Sequence, residues 1–184
     1  VAPSASIAVV DRLQAGLLGI LRAAETLGYE GRLERISPTV DETFDLPFMA
    51  EKVVGRYWKT LTPEQQARWA ETFGAMTKAN YAGRFDHDTG QGFEVLGEDP
   101  AASDTVMVRT RLLDPQGDDV ELTYRLREVE GRWRIADIYL KGTVSELALR
   151  RSEYSSVLKR DGFDALVLSV NGMISDLAAG SDAP

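Results

Sequence analysis

The hydrophobic period changes at Gly83, and that change constrains the fold more than any other feature of the chain. Before it, apolar residues recur every three or four positions. After it, the pattern changes to a period of two, and four segments in succession read as strands: GFEVLGE, DTVMVRTRLLD, DVELTYRLREV and RWRIADIYLKG. A period near 3.6 marks one face of a helix, and a period of two marks a half-buried strand. The linkers DPQGDD and EGR are too short for crossover helices, so the strands form an antiparallel meander. In the third segment Val120, Leu122, Tyr124 and Leu126 share one face, opposite Glu121, Thr123, Arg125 and Arg127. That is a sheet buried on one side. The fourth is apolar on both faces, with Trp133, Ile135 and Tyr139 on one and Ala136, Ile138 and Leu140 on the other, as expected of a central strand covered twice.

Helices flank the meander. Ile7, Val10, Gln14, Leu17, Leu18, Leu21, Ala24 and Leu27 predict a helix over 5–28, stopped at Gly28. Ser37-Pro38 predicts a break, and Asp45 with Pro47 predicts the start of a second helix. The clearest start is at Thr62, where Pro63 takes the first helical position and Gln65 completes a capping box. Trp69, Phe73, Met76 and Asn80-Tyr81 continue its buried stripe, read by default as core. After the strands, Ser145 caps a helix to about Arg160. Another follows Gly162 and buries Phe163, Leu166, Val167, Val170, Ile174 and Leu177. Helices, then consecutive strands, then helices give an α+β fold with a four-stranded antiparallel sheet. The 184 residues, 43% hydrophobic and 27% charged, suit a single domain over 1–184 with flexible ends at 1–4 and 179–184.

Composition removes several kinds of chemistry. A net charge of −8 opposes binding to nucleic acid. The absence of cysteine excludes disulfides, thiolate metal sites and thiol nucleophiles. No apolar run approaches the roughly 18 residues of a membrane span. The opening VAPSAS has the small residues found just after a cleaved signal peptide, which predicts a mature exported chain, although a trimmed chain would begin the same way. The single histidine, His87, lies between Asp86 and Asp88, and three adjacent residues do not converge on one ion without a special backbone, so no metal is expected. No phosphate-binding or nucleotide-binding glycine motif and no nucleophile elbow occurs, so neither cofactor nor catalytic residue is expected. Asp137 is the one acid–base candidate for a rival enzymatic reading, against pairing with an arginine. Lys141, Arg150, Arg151, Lys159 and Arg160 gather late in the acidic chain. Lys159 and Arg160 suit the negative end of a helix. Arg150 and Arg151, in mid-helix, are candidates for contact with a partner or an anionic head group, against a solvated helix face.

Residues 44–81 resemble the MlaC-type lipid-binding proteins, the toluene-tolerance auxiliary family. The likeness rests on Phe44, Asp45, Met49, Ala50, Gly55, Trp58, Pro63, Glu64, Gln65, Phe73 and Tyr81. Gly142, Ser145, Arg151, Tyr154, Gly162 and Leu166 continue it, and the whole covers nearly all of 36–178. Leu46 stands where the family has an aromatic, Thr143 is one residue extra, and Arg150 replaces a tyrosine. Within the family, SELALRRSEYSSVLKRDGFDALV is most like the hopanoid-associated HpnM branch.

The resemblance implies a soluble periplasmic carrier with a curved, NTF2-like sheet around an apolar cavity. Its cargo would be hopanoid or phospholipid, moved between inner and outer membranes. Its partners would be an inner-membrane transporter, RND-type or an MCE/ABC complex, and transiently a membrane or outer-membrane acceptor. Facing and element position nominate Phe48, Met49, Val53, Leu122, Tyr124, Ile135, Tyr139, Val170 and Ile174 as the lining. The same stripes describe a filled core, so an adaptor without a ligand and an NTF2-like enzyme stay open beside the carrier.

Overall fold

The computed structural model describes residues 3–180. Two helices open the chain: α1 (Ala5–Arg22) and α2 (Ala24–Thr43), hinged at Ala23 rather than continuous to Leu27. The Ser4 hydroxyl caps α1 at the Ile7 amide and donates to Glu98 at 2.8 Å, which ties this end to the sheet. Gly28, at φ 63 and ψ 179, breaks the path within α2, and the helix then runs on to Thr43. The break expected at Ser37-Pro38 does not occur. Proline removes one amide donor, and the Ser37 hydroxyl donates to the Leu33 carbonyl at 2.6 Å within the same turns.

Helix α3 (Leu46–Lys52) starts at Asp45, whose carboxylate accepts from the Phe48 amide, and a 3₁₀ turn follows over Gly55–Thr60. Helix α4 (Pro63–Arg84) begins with the expected capping box between Thr62 and Gln65. The sheet comprises β1 (Gly92–Ala101), β2 (Thr105–Leu113), β3 (Val120–Val129), β4 (Arg132–Leu140) and β5 (Val144–Ser145), antiparallel in chain order. It therefore has five strands, not four. The fifth is two residues long, too short to show a period. It forms because Lys141 and Gly142, at φ 53 and 75, turn the chain back onto β4. Helices α5 (Glu146–Asp161) and α6 (Phe163–Ala178) complete the fold, joined at Gly162.

Two β-bulges bend the sheet. In β1 the extra residue is Leu96, beside Gly97, whose φ of 153 is a conformation that side-chain-bearing residues rarely adopt and over which the Arg109 guanidinium lies. In β4 the extra residue is Ala136, because Arg125 pairs with Asp137 and Leu126 with Ile135. A bulge bends its strand and shifts the alternation by one residue. Helix α1 lies against the inner face, where Val10, Leu13, Leu17 and Ile20 are buried with Val108, Tyr124, Leu126 and Ile135. The outer face carries ion pairs, Arg109 with Asp99 and Arg111 between Glu94 and Glu121.

Candidate functional site

The inner face is not filled throughout. An apolar cavity of about 450 Å³ lies between the sheet and helices α4 and α5. From the sheet, Phe93, Leu112, Leu122, Tyr124, Ile138 and Leu140 face it. From α4 come Phe73, Met76, Thr77, Asn80, Tyr81 and Arg84, and from α5 Glu146, Leu147, Leu149, Arg150 and Tyr154. Leu17, Phe44, Met49 and Phe85 complete the lining. Arg84 and Leu149 are its exposed members, so the opening lies between the end of α4 and the beginning of α5. A volume of this size is in the range of small-ligand sites.

Of the nine residues nominated from sequence, the cavity brings together Met49, Leu122 and Tyr124. The other six lie elsewhere. Phe48 packs under Arg127, 4.2 Å from its ring centre, beside the Arg127–Asp45 ion pair. Val53, Ile135 and Val170 are fully buried in the packed core. Tyr139 is turned away by the Ala136 bulge, which puts Ile138 and Leu140 on the inner face instead, and Arg125 lies over its ring. Ile174 borders a separate shallow groove between α2, α4 and α6. The Phe73, Met76, Asn80 and Tyr81 stripe was visible at helical spacing, but spacing alone does not separate cavity wall from core.

Beside the polar residues of α4 and α5, two buried phenols, Tyr81 and Tyr124, face the site. Behind the lining, buried Gln14 of α1 donates to Thr110 at 3.1 Å and to the Tyr124 hydroxyl at 3.4 Å. Burial pushes the Tyr124 phenol up to about 12, against the hydrogen bond from Gln14. Tyr81 is raised well above its ordinary value, first by burial and then by Tyr124 and Glu146. Both phenols stay neutral near pH 7, and a neutral phenol is not a general base there.

Arg150 and Arg151 point to different places. Arg150 is at the cavity, held by Glu146 at 3.2 Å and Glu153 at 3.1 Å. Burial opposes its charge, but Glu146, Tyr154 and Glu153 outweigh that and raise its pKa. Arg151 lies on the far side of α5, in an open groove with Gly55, Arg56, Tyr57 and Lys159.

Asp137 does not face the cavity lining. Its carboxylate accepts from the Ser145 hydroxyl at 2.5 Å, from the Leu147 amide at 3.2 Å and from the Ile138 amide at 2.8 Å. It ties β4 to the start of α5. Asp88, in the DHD loop, pairs with Arg22 at 2.5 Å. No group of three potential metal ligands occurs among the described residues.

The family model described as MlaC protein matches residues 11–171. Among curated proteins, the intermembrane phospholipid transport system binding protein MlaC of Haemophilus influenzae is 24% identical over 127 residues. That match covers 67% of this chain and 59% of the relative. Among solved structures, the phospholipid-binding protein of Ralstonia solanacearum, in complex with a phospholipid, superposes with a TM-score of 0.78. Sequence identity is 25%, over 95% of this chain and 99% of that one.

Proposed function

This chain belongs to the MlaC family, and from that premise we propose that it is a periplasmic phospholipid carrier. The observation that carries the proposal is the cavity, an apolar interior of about 450 Å³ that opens beside Arg84 and Leu149. An acyl chain in water costs about 0.8 kcal/mol per methylene, and an enclosed apolar wall removes that cost. Cargo held in this way needs shape and dryness rather than a reactive group. The buried phenols offer no base near neutral pH, and the charged pair on the lining, Glu146 and Arg150, is tied to itself at 3.2 Å.

No helix among the described residues is long and apolar enough to cross a membrane, which suits a carrier that moves between membranes. The partners that follow from the same premise are an inner-membrane complex of the MCE/ABC kind and an acceptor at the outer membrane. A phospholipid is preferred to a hopanoid because the cavity has a charged rim, where a phosphate finds partners and a wholly hydrocarbon ring system does not. Both relatives above are named for phospholipid.

The test is detergent-free purification from a bacterial periplasm, solvent extraction and mass spectrometry against a mock preparation. Stoichiometric phospholipid is expected. Hopanoid in its place would move the chain to the HpnM branch and an RND-type partner. A clean extract, followed by failure of added phospholipid to bind or to raise the melting temperature, would replace the carrier with a filled-core adaptor.

A further inference from the structure

We propose that Arg84 is the residue that holds the lipid phosphate at the cavity mouth, a role that rests on the phospholipid reading above. The lining is divided as a lipid is divided. Phe73, Met76, Leu122 and Ile138 make an apolar interior, while Asn80, Arg84, Glu146 and Arg150 bring polar groups to it. Three arginines are candidates for the phosphate, and their surroundings separate them.

Arg151 is not on this cavity, because it projects from the other side of α5. Arg150 is on it, but its guanidinium already serves two carboxylates, Glu146 at 3.2 Å and Glu153 at 3.1 Å. A phosphate there would have to displace them or meet their charge at close range. Arg84 differs from both. It is an exposed member of the lining, and it has no carboxylate within ion-pair distance among the described residues. Its one side-chain hydrogen bond runs from Nε to Asn80 Oδ1, one helical turn earlier, at 2.7 Å.

That bond leaves the two Nη groups unoccupied and steadies the plane of the guanidinium. This is the fork that receives two phosphate oxygens. Arg84 is also the last residue of α4, at the negative pole of the helix. The helix pole there opposes an anion, so the attraction has to come from the Arg84 side chain itself.

Arg84 is solvent-exposed, so its replacement leaves the core untouched. The experiment follows uptake of two pyrene-labelled lipids from neutral vesicles by the full chain, phosphatidylglycerol and diacylglycerol with the same acyl chains. Arg84→Gln should weaken phosphatidylglycerol binding about tenfold and leave diacylglycerol binding unchanged, and Arg84→Lys should recover part of the loss. Equal weakening of both lipids, or no change in either, would overturn the assignment. Wild-type protein that binds both lipids equally well would also overturn it while sparing the carrier. Wild-type protein that binds neither would remove the carrier reading and this role together.

Discussion

Asp137 offers the sharpest separation between a structural and a catalytic carboxylate. It is buried, and its two oxygens accept from three donors: the Ile138 and Leu147 amides at Oδ1 and the Ser145 hydroxyl at Oδ2. Ser145 in turn accepts from the Ala148 amide at 3.1 Å, so one carboxylate organises the first turn of α5. That turn supplies Glu146, Leu147 and Arg150 to the cavity. Asp137→Ala strands the Leu147 amide and the Ser145 hydroxyl. Both donors are only half-buried, so at the low end of about 1–3 kcal/mol for each donor left unmade the loss should be about 2–3 kcal/mol. Asp137→Asn keeps an acceptor for both amides and gives up only the charge-assisted bond from Ser145, for about 1 kcal/mol. Urea unfolding measures both, and amide exchange at Leu147 and Ala148 should quicken most in the alanine variant. Asp137→Asn should still carry lipid. An alanine variant within about 0.5 kcal/mol of wild type, or one with unchanged exchange at those amides, would refute the anchoring role. Loss of a turnover in Asp137→Asn, with lipid loading intact, would revive the enzyme.

Three further outcomes are expected. Leu122→Trp projects an indole into the cavity from β3 and should abolish lipid co-purification in a folded protein. Ile135→Val should instead cost about 0.5–1.5 kcal/mol and leave lipid content unchanged, because Ile135 is packed core. With phospholipid at about a hundredfold over its dissociation constant, linkage adds about 2.7 kcal/mol. At about 2–4 °C per kcal/mol for a chain of this size, delipidated protein should melt about 5–10 °C lower by calorimetry. Tyr124 titrates near 12 when folded, against about 10 when unfolded, so its contribution is intact below pH 10 and declines as pH rises toward 12. Two pH units correspond to about 3 kcal/mol. Phenolate absorbance should rise at higher pH in the folded chain than in the unfolded one, and Tyr124→Phe should lessen the decline, leaving the part due to the other buried phenols.

Local signals were legible wherever the chemistry is local. The capping box at Thr62, the cap at Ser145, the alternation through Leu122 and Tyr124 and the turn at Glu130-Gly131 all depend on residues a few positions apart. These determined an α+β chain with an antiparallel meander. The stop read at Gly28 is where the helical path breaks, but the earlier hinge at Ala23 depends on backbone angles that side-chain spacing does not reveal, and Pro38 does not end the helix because it removes only one amide donor. The two-residue β5 is too short to carry a period at all.

The cavity is a different matter. Met49, Leu122 and Tyr124 face it and Val53, Ile135 and Val170 do not, though all six are apolar or nearly so in the same kinds of position. One inserted residue at Ala136 decided that Ile138 and Leu140, not Tyr139, line the wall. Which arginine meets the cavity free of carboxylates is likewise set by how α4 and α5 are placed against the sheet. Periodicity tells which face of an element avoids water. Whether another side chain fills the space beyond that face is decided only by how far apart the elements finally stand.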